Sequence, residues 1–152
     1  MTKTGSKIYR IVSVAIVVAI AVIIFQLSSQ NGIQSAEISG FVLELFNRIS
    51  KLQISHDLLR TVGHFCEYAV LGFFICNAFF SFKEKTMPIQ SIIISFLYAV
   101  TDEIHQIFVP ERAFQLFDLA VDLSGIATGT FMFVLTASLL IKIKLNKRKT
   151  VE

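Results

Sequence analysis

The sequence predicts an all-α integral membrane protein, a four-helix transmembrane bundle formed by a single domain of residues 1–152. Three observations carry that expectation. Hydrophobic residues make up 54% of the chain and the mean hydropathy is +0.68, too apolar for a soluble domain of this length. The apolar residues gather into four long runs, about 8–27, 61–82, 88–108 and 116–143, each able to cross a hydrocarbon core of about 30 Å as a helix. Strand-like alternation is missing, so helices rather than a barrel must close the backbone hydrogen bonds in lipid.

The first run, 8–27, follows Lys3, Lys7 and Arg10, an arrangement that also resembles a secretory signal. It reads instead as a retained span: no small-residue cleavage site follows, and removing it would leave an odd number of crossings. Between the first two spans, Ile38, Phe41, Val42, Leu45, Phe46, Ile49 and Leu52 recur at helical spacing. Glu44, Arg48 and Lys51 gather on another side, so this segment is expected to be an amphipathic helix in the outer interface or a lid on the bundle. The second span carries Cys66 and Cys76, ten residues and about 15 Å of helix apart, too far for a disulfide. Pro88 suits the start of the third span and Pro110 its end. The fourth span contains Gly125 and Gly129, a G-x-x-x-G pair that lets helices approach closely.

Charge gives an orientation. With four crossings, the N-terminus, the 83–85 loop and the C-terminal tail fall on one side and hold ten of the fourteen basic residues. The positive-inside rule makes that side, with both termini, cytoplasmic. Nine of the eleven acids lie in or beside the opposite ends of the spans. The basic segments read as topology signals and anionic-lipid contacts, and nothing beyond charge suggests nucleic acid as a partner.

The polar residues inside the apolar runs form stripes. Arg60, His64, Glu67 and Tyr68 lie on one face of the second span. Tyr98, Asp102, His105 and Gln106 do so on the third, with Glu103 at the flank, and Asp118 and Asp122 open the fourth. All three stripes sit at the outer ends of their helices. Ionisable groups at membrane depth normally pair, line a cavity or serve function, so these residues, with Arg112, are expected to form one polar pocket. Arg60 or Arg112 should neutralise one of Asp102, Glu103, Asp118 and Asp122, although acids outnumber arginines in the cluster.

Several stretches resemble the VanZ-like family of bacterial membrane proteins: "FQLSSQNGIQS", "LLRTVGHFCEYAVLG" and "AVTDEIHQIFVPERAFQLFDLAVDLSGIATG". Ser29, Gln30, Gly72, Pro110 and Gly125 match the family pattern alongside the charged residues above, and Glu111 departs from it where a glycine is common. The resemblance implies a small multi-pass protein of the bacterial cell membrane. It also implies an association with reduced susceptibility to the glycopeptide teicoplanin, through a founding member whose mode of action is unsettled.

Three classes of function fit these residues. The favoured one is a binding or modulating protein whose pocket engages a lipid, a cell-wall precursor or a lipophilic glycopeptide at the outer leaflet. The second is a membrane-embedded enzyme, since His64 with Glu67 and Asp102 with His105 are carboxylate–imidazole pairs at i, i+3. The third is a structural polar core. No nucleophile elbow, phosphate loop or cysteine-based zinc motif is present, and no catalytic residue, oligomeric state or cofactor is assigned. A metal centre of His64, Glu67, Asp102, Glu103 and His105 is the competing arrangement; an arginine–carboxylate network without a metal is expected in its place.

Overall fold

In a computed structural model the described residues are 3–30 and 55–149. They hold four helices and no strand: α1 (Lys3–Ser28), α2 (His56–Lys83), α3 (Pro88–Gln106) and α4 (Leu116–Lys149). The expected amphipathic helix, with Glu44, Arg48 and Lys51, lies outside the described residues.

Local chemistry sets the helix ends. Ser55 caps α2, its side chain accepting a hydrogen bond from the Leu58 amide, and Asp57 in the first turn complements the positive end of the helix dipole. The helix therefore begins at His56, earlier than the apolar run at 61, and takes in Arg60. At its other end Glu84 turns left-handed, φ 56°, and returns its amide to the Phe80 carbonyl. Pro88 occupies the first turn of α3, where a missing N–H removes no internal bond. That helix stops at Gln106 as i→i−3 bonds from Ile107, Phe108 and Val109 tighten the chain ahead of Pro110. Asp118 lies in the first turn of α4, which continues through the apolar run to Lys149.

Three helices are long and apolar enough to cross a membrane, over Ser6–Ser28, Asp57–Lys83 and Leu116–Lys147. Helix α3 is not among these, because its 19 residues include an interior stripe of buried Ser91, Ser95, Asp102, Glu103 and Gln106. Large apolar side chains on the other helices face outward, among them Ile11, Val18, Phe131 and Leu140. Such exposure suits contact with lipid rather than water.

Helices α2 and α4 run parallel and form the most extensive contact, with α1 packed on α2 and α3 bridging α2 and α4. Glycine makes the α2–α4 approach possible. A Cβ at Gly125 would strike the Phe65 carbonyl, one at Gly129 the Ala69 carbonyl, and one at Gly72 would lie 2.7 Å from the Ile126 carbonyl oxygen. Tyr68, Leu71, Ile75, Ala99, Ile126 and Ile24 fill the middle of the bundle. Phe133 packs edge-on against Phe73 and Phe80 beside Cys76. Cys66 and Cys76 are both free thiols, one exposed and one buried.

The starts of α1 and α3 and the ends of α2 and α4 share one end of the bundle. Tyr9 meets Asn77 there, and Lys83, Lys85 and Lys144 belong to the same end. The opposite end gathers the charged stripes.

Candidate functional site: a buried charged cluster at one end of the bundle

The opening turns of α4 run beside the second and third turns of α2 and set two ion pairs one helical turn apart. Arg60 donates from Nη2 to Asp118 Oδ2 at 2.7 Å, and His64 Nδ1 meets Asp122 Oδ1 at 3.1 Å. The four-residue spacing on both parallel helices is what repeats the pairing. Asp118, His64 and Asp122 are buried, and the Arg60 side chain is 30% exposed, so the outer pair sits at the rim and the inner pair in the interior.

Helix α3 supplies the third wall. Gln106, fully buried, accepts from Arg60 Nη2, linking α2 to α3, and donates to Asp102 Oδ2 within α3, each a long hydrogen bond of 3.5 Å. Glu103 is also fully buried, and its Oε2 accepts from the Gln115 amide at 3.0 Å, which ties the connection into α4 to the end of α3.

Hydrogen-bond capacity in this cluster is left over. Arg60 Nε, Tyr68 OH, Asp102 Oδ1, Glu103 Oε1 and Asp122 Oδ2 are buried and have no hydrogen-bond partner among the described residues, as does Ser28 Oγ at the end of α1. Tyr68 lies by Asp102, and its buried hydroxyl makes no hydrogen bond of good geometry among the described residues. Buried polar atoms without partners are uncommon in folded proteins, and here they concentrate in one place.

The structure brings together Arg60, His64, Tyr68, Asp102, Glu103, Gln106, Asp118 and Asp122, and treats three other expected residues differently. His105 turns toward α1, with Nε2 3.1 Å from Ser29 Oγ and its ring 4.5 Å from that of Phe25, so the i, i+3 pairing with Asp102 is not made. Glu67 lies within electrostatic range of His64 and Arg112 but makes no ion pair or hydrogen bond among the described residues. Imidazole–carboxylate pairing thus runs between helices, His64 to Asp122, because packing turns His64 toward α4. Arg112 stands between α3 and α4 without an ion pair among the described residues. Burial and the neighbouring Arg60 hold its guanidinium below the usual value, though it stays charged at physiological pH.

Sequence patterns did not single out Gln115, whose contribution is a backbone amide, or the pairing of Ser29 with His105. Glu111 has φ 63°, a left-handed conformation that favours glycine, at the position where the sequence departs from the VanZ-like pattern.

No curated protein and no solved structure matches the chain. A family model does, covering residues 13–139 and so containing every residue of the charged cluster. On that match, and with three helices apolar enough to cross a bilayer, the chain belongs to the VanZ/LLP1 family and is a membrane protein.

Proposed function

We propose that the protein crosses the bacterial cell membrane four times, with both termini in the cytoplasm, and uses the charged cluster to engage a ligand at the outer leaflet. The ligand classes are a lipid, a lipid-linked cell-wall precursor or a lipophilic glycopeptide. The fourth crossing is α3: its polar stripe faces inward while Ile89, Ile93, Ile94 and Leu97 face outward, as lipid would require. Orientation follows from Lys83, Lys85, Lys144 and Lys147, which lie at the end away from the cluster.

One observation carries the ligand reading. Arg60 is held to Asp118 by one nitrogen, keeps a partly exposed side chain and a buried, unpartnered Nε, and has Arg112 close by. Two guanidinium groups at the mouth of a membrane-embedded cluster suit an anionic head group, and a planar arginine fork is well shaped for phosphate or carboxylate. Family membership supports a link to teicoplanin-type glycopeptide resistance. The test compares teicoplanin susceptibility of cells with and without the protein, together with Arg60→Ala and His64→Ala variants at matched expression. Reduced susceptibility that both substitutions abolish is the expected result, and unchanged susceptibility in every strain contradicts the reading.

The His64–Asp122 pair favours a second reading, a membrane-embedded enzyme acting on a lipid-linked substrate. A buried carboxylate orienting an imidazole is a common general-base arrangement. Asp122→Asn separates the two readings. It preserves the shape of the side chain, so binding survives under the first and turnover is lost under the second.

A further inference from the structure

We infer that His64, Glu103 and Asp122 form a binding site for one divalent transition-metal ion of the zinc or manganese class. These residues come from three helices, α2, α3 and α4, and each offers a ligand atom within 4.8 Å of those of the other two. Donors about 2.1 Å from a tetrahedral ion stand roughly 3.4 Å apart, so closure of up to about 1.4 Å completes the site. His64 Nδ1 and Asp122 Oδ1 are hydrogen-bonded at 3.1 Å, so coordination through Nδ1 would release the proton between them.

A second observation is independent of that spacing. Glu103 and Asp122 are both fully buried, and each has one oxygen occupied and one without a partner. Oε2 of Glu103 is taken by the Gln115 amide and Oδ1 of Asp122 by His64, leaving Oε1 and Oδ2. Arg60 is committed to Asp118, and Arg112, within electrostatic range of Glu103, makes no ion pair with either carboxylate among the described residues. Two interior carboxylates thus share a single imidazole, and a divalent ion would neutralise both while taking up their free oxygens.

The donor chemistry narrows the ion. One imidazole and two carboxylates suit zinc, manganese or ferrous iron, whereas calcium and magnesium favour all-oxygen sites. Three protein ligands leave a further position for water or for an oxygen of a bound molecule. This set differs from the arrangement weighed from sequence: Glu67, Asp102 and His105 drop out and Asp122 enters. It stands whether or not the cluster engages an outer-leaflet ligand.

The test uses the full chain in detergent, purified without chelator through a tag free of histidine, loaded with zinc or manganese chloride and desalted. Elemental analysis should find about one ion per chain, and metal should raise the melting temperature. Retained metal should fall at least roughly tenfold in Glu103→Gln and Asp122→Asn and stay at the wild-type level in Glu84→Gln, at the opposite end of the bundle. The inference is overturned if wild-type protein retains well under one ion after both loadings and shows no metal-dependent melting shift. It is equally overturned if Glu103→Gln and Asp122→Asn retain as much metal as wild type. Because the wild-type measurements alone can refute the site, a variant that fails to fold does not shelter it.

Discussion

The two ends of the bundle are both crossed by polar side chains, but they differ in how completely those groups are paired. At the end where α1 starts and α2 finishes, Tyr9 donates to Asn77 Oδ1 at 2.6 Å, and Asn77 donates to Ser13 Oγ at 3.3 Å. Ser13 in turn donates to the Tyr9 carbonyl at 2.8 Å, and Arg10 Nε to that of Ser81 at 3.1 Å. The Arg10 guanidinium also lies over the Phe82 ring. No buried polar atom in this group is without a partner among the described residues. At the other end acids, arginine and histidine meet, and all six unpartnered buried atoms among the described residues, from Ser28 to Asp122, belong to that half. A closed network of this kind fixes how helices pack. A charged network with spare donors and acceptors has lower stability than its contacts alone would give, and the spare groups are available to something that binds.

The largest effect should come from breaking the charged end. Arg60→Ala leaves the buried Asp118 carboxylate uncompensated and should cost roughly 1–3 kcal/mol, between the values for exposed and fully buried pairs, because the Arg60 side chain is partly exposed. Thermal melting in detergent measures it. Removing both partners, Arg60→Met with Asp118→Leu, should recover most of that loss, since no lone charge then remains. A double variant as unstable as the single one would mean that the pair itself, rather than the stranded charge, stabilises the bundle.

At the fully paired end Tyr9→Phe should cost about 1 kcal/mol, the contribution of one hydrogen bond, and leave teicoplanin susceptibility as in wild type. A loss of function from this substitution would erase the distinction between the ends. The smallest change should have the opposite sign. Glu111→Gly relieves a left-handed backbone and should stabilise by up to about 1 kcal/mol, read as a slightly higher melting temperature.

Much of the fold is legible in the sequence because lipid imposes a simple code: long apolar runs, basic loops at one end and small residues where helices touch. Gly125 and Gly129 lie against the α2 backbone as their spacing suggests, and Arg60 finds Asp118 from the candidate set of acids. Helix α3 is less legible, since its inward stripe of serines and acids lowers its hydropathy below that of its neighbours while serving the interior. Within the site, periodicity identifies a shared face but not which residues across helices meet. His64 and Glu67 share a stripe, yet packing against α4 gives His64 to Asp122. His105 shares a stripe with Asp102, yet it is turned to Ser29 and Phe25 of the α1 end. Such choices depend on helix rotation and on backbone groups such as the Gln115 amide, which no residue pattern encodes.

The most direct test asks whether the incompletely paired end faces outward. With Cys66 and Cys76 replaced by alanine, single cysteines are placed at Glu111, beside the cluster, and at Glu84 and Lys147, at the basic end. Intact cells are then treated with a membrane-impermeant thiol reagent. The account predicts labelling at 111 and protection at 84 and 147 until the membrane is permeabilised. Labelling at 84 or 147 with protection at 111 would place the charged cluster on the cytoplasmic side and contradict the account.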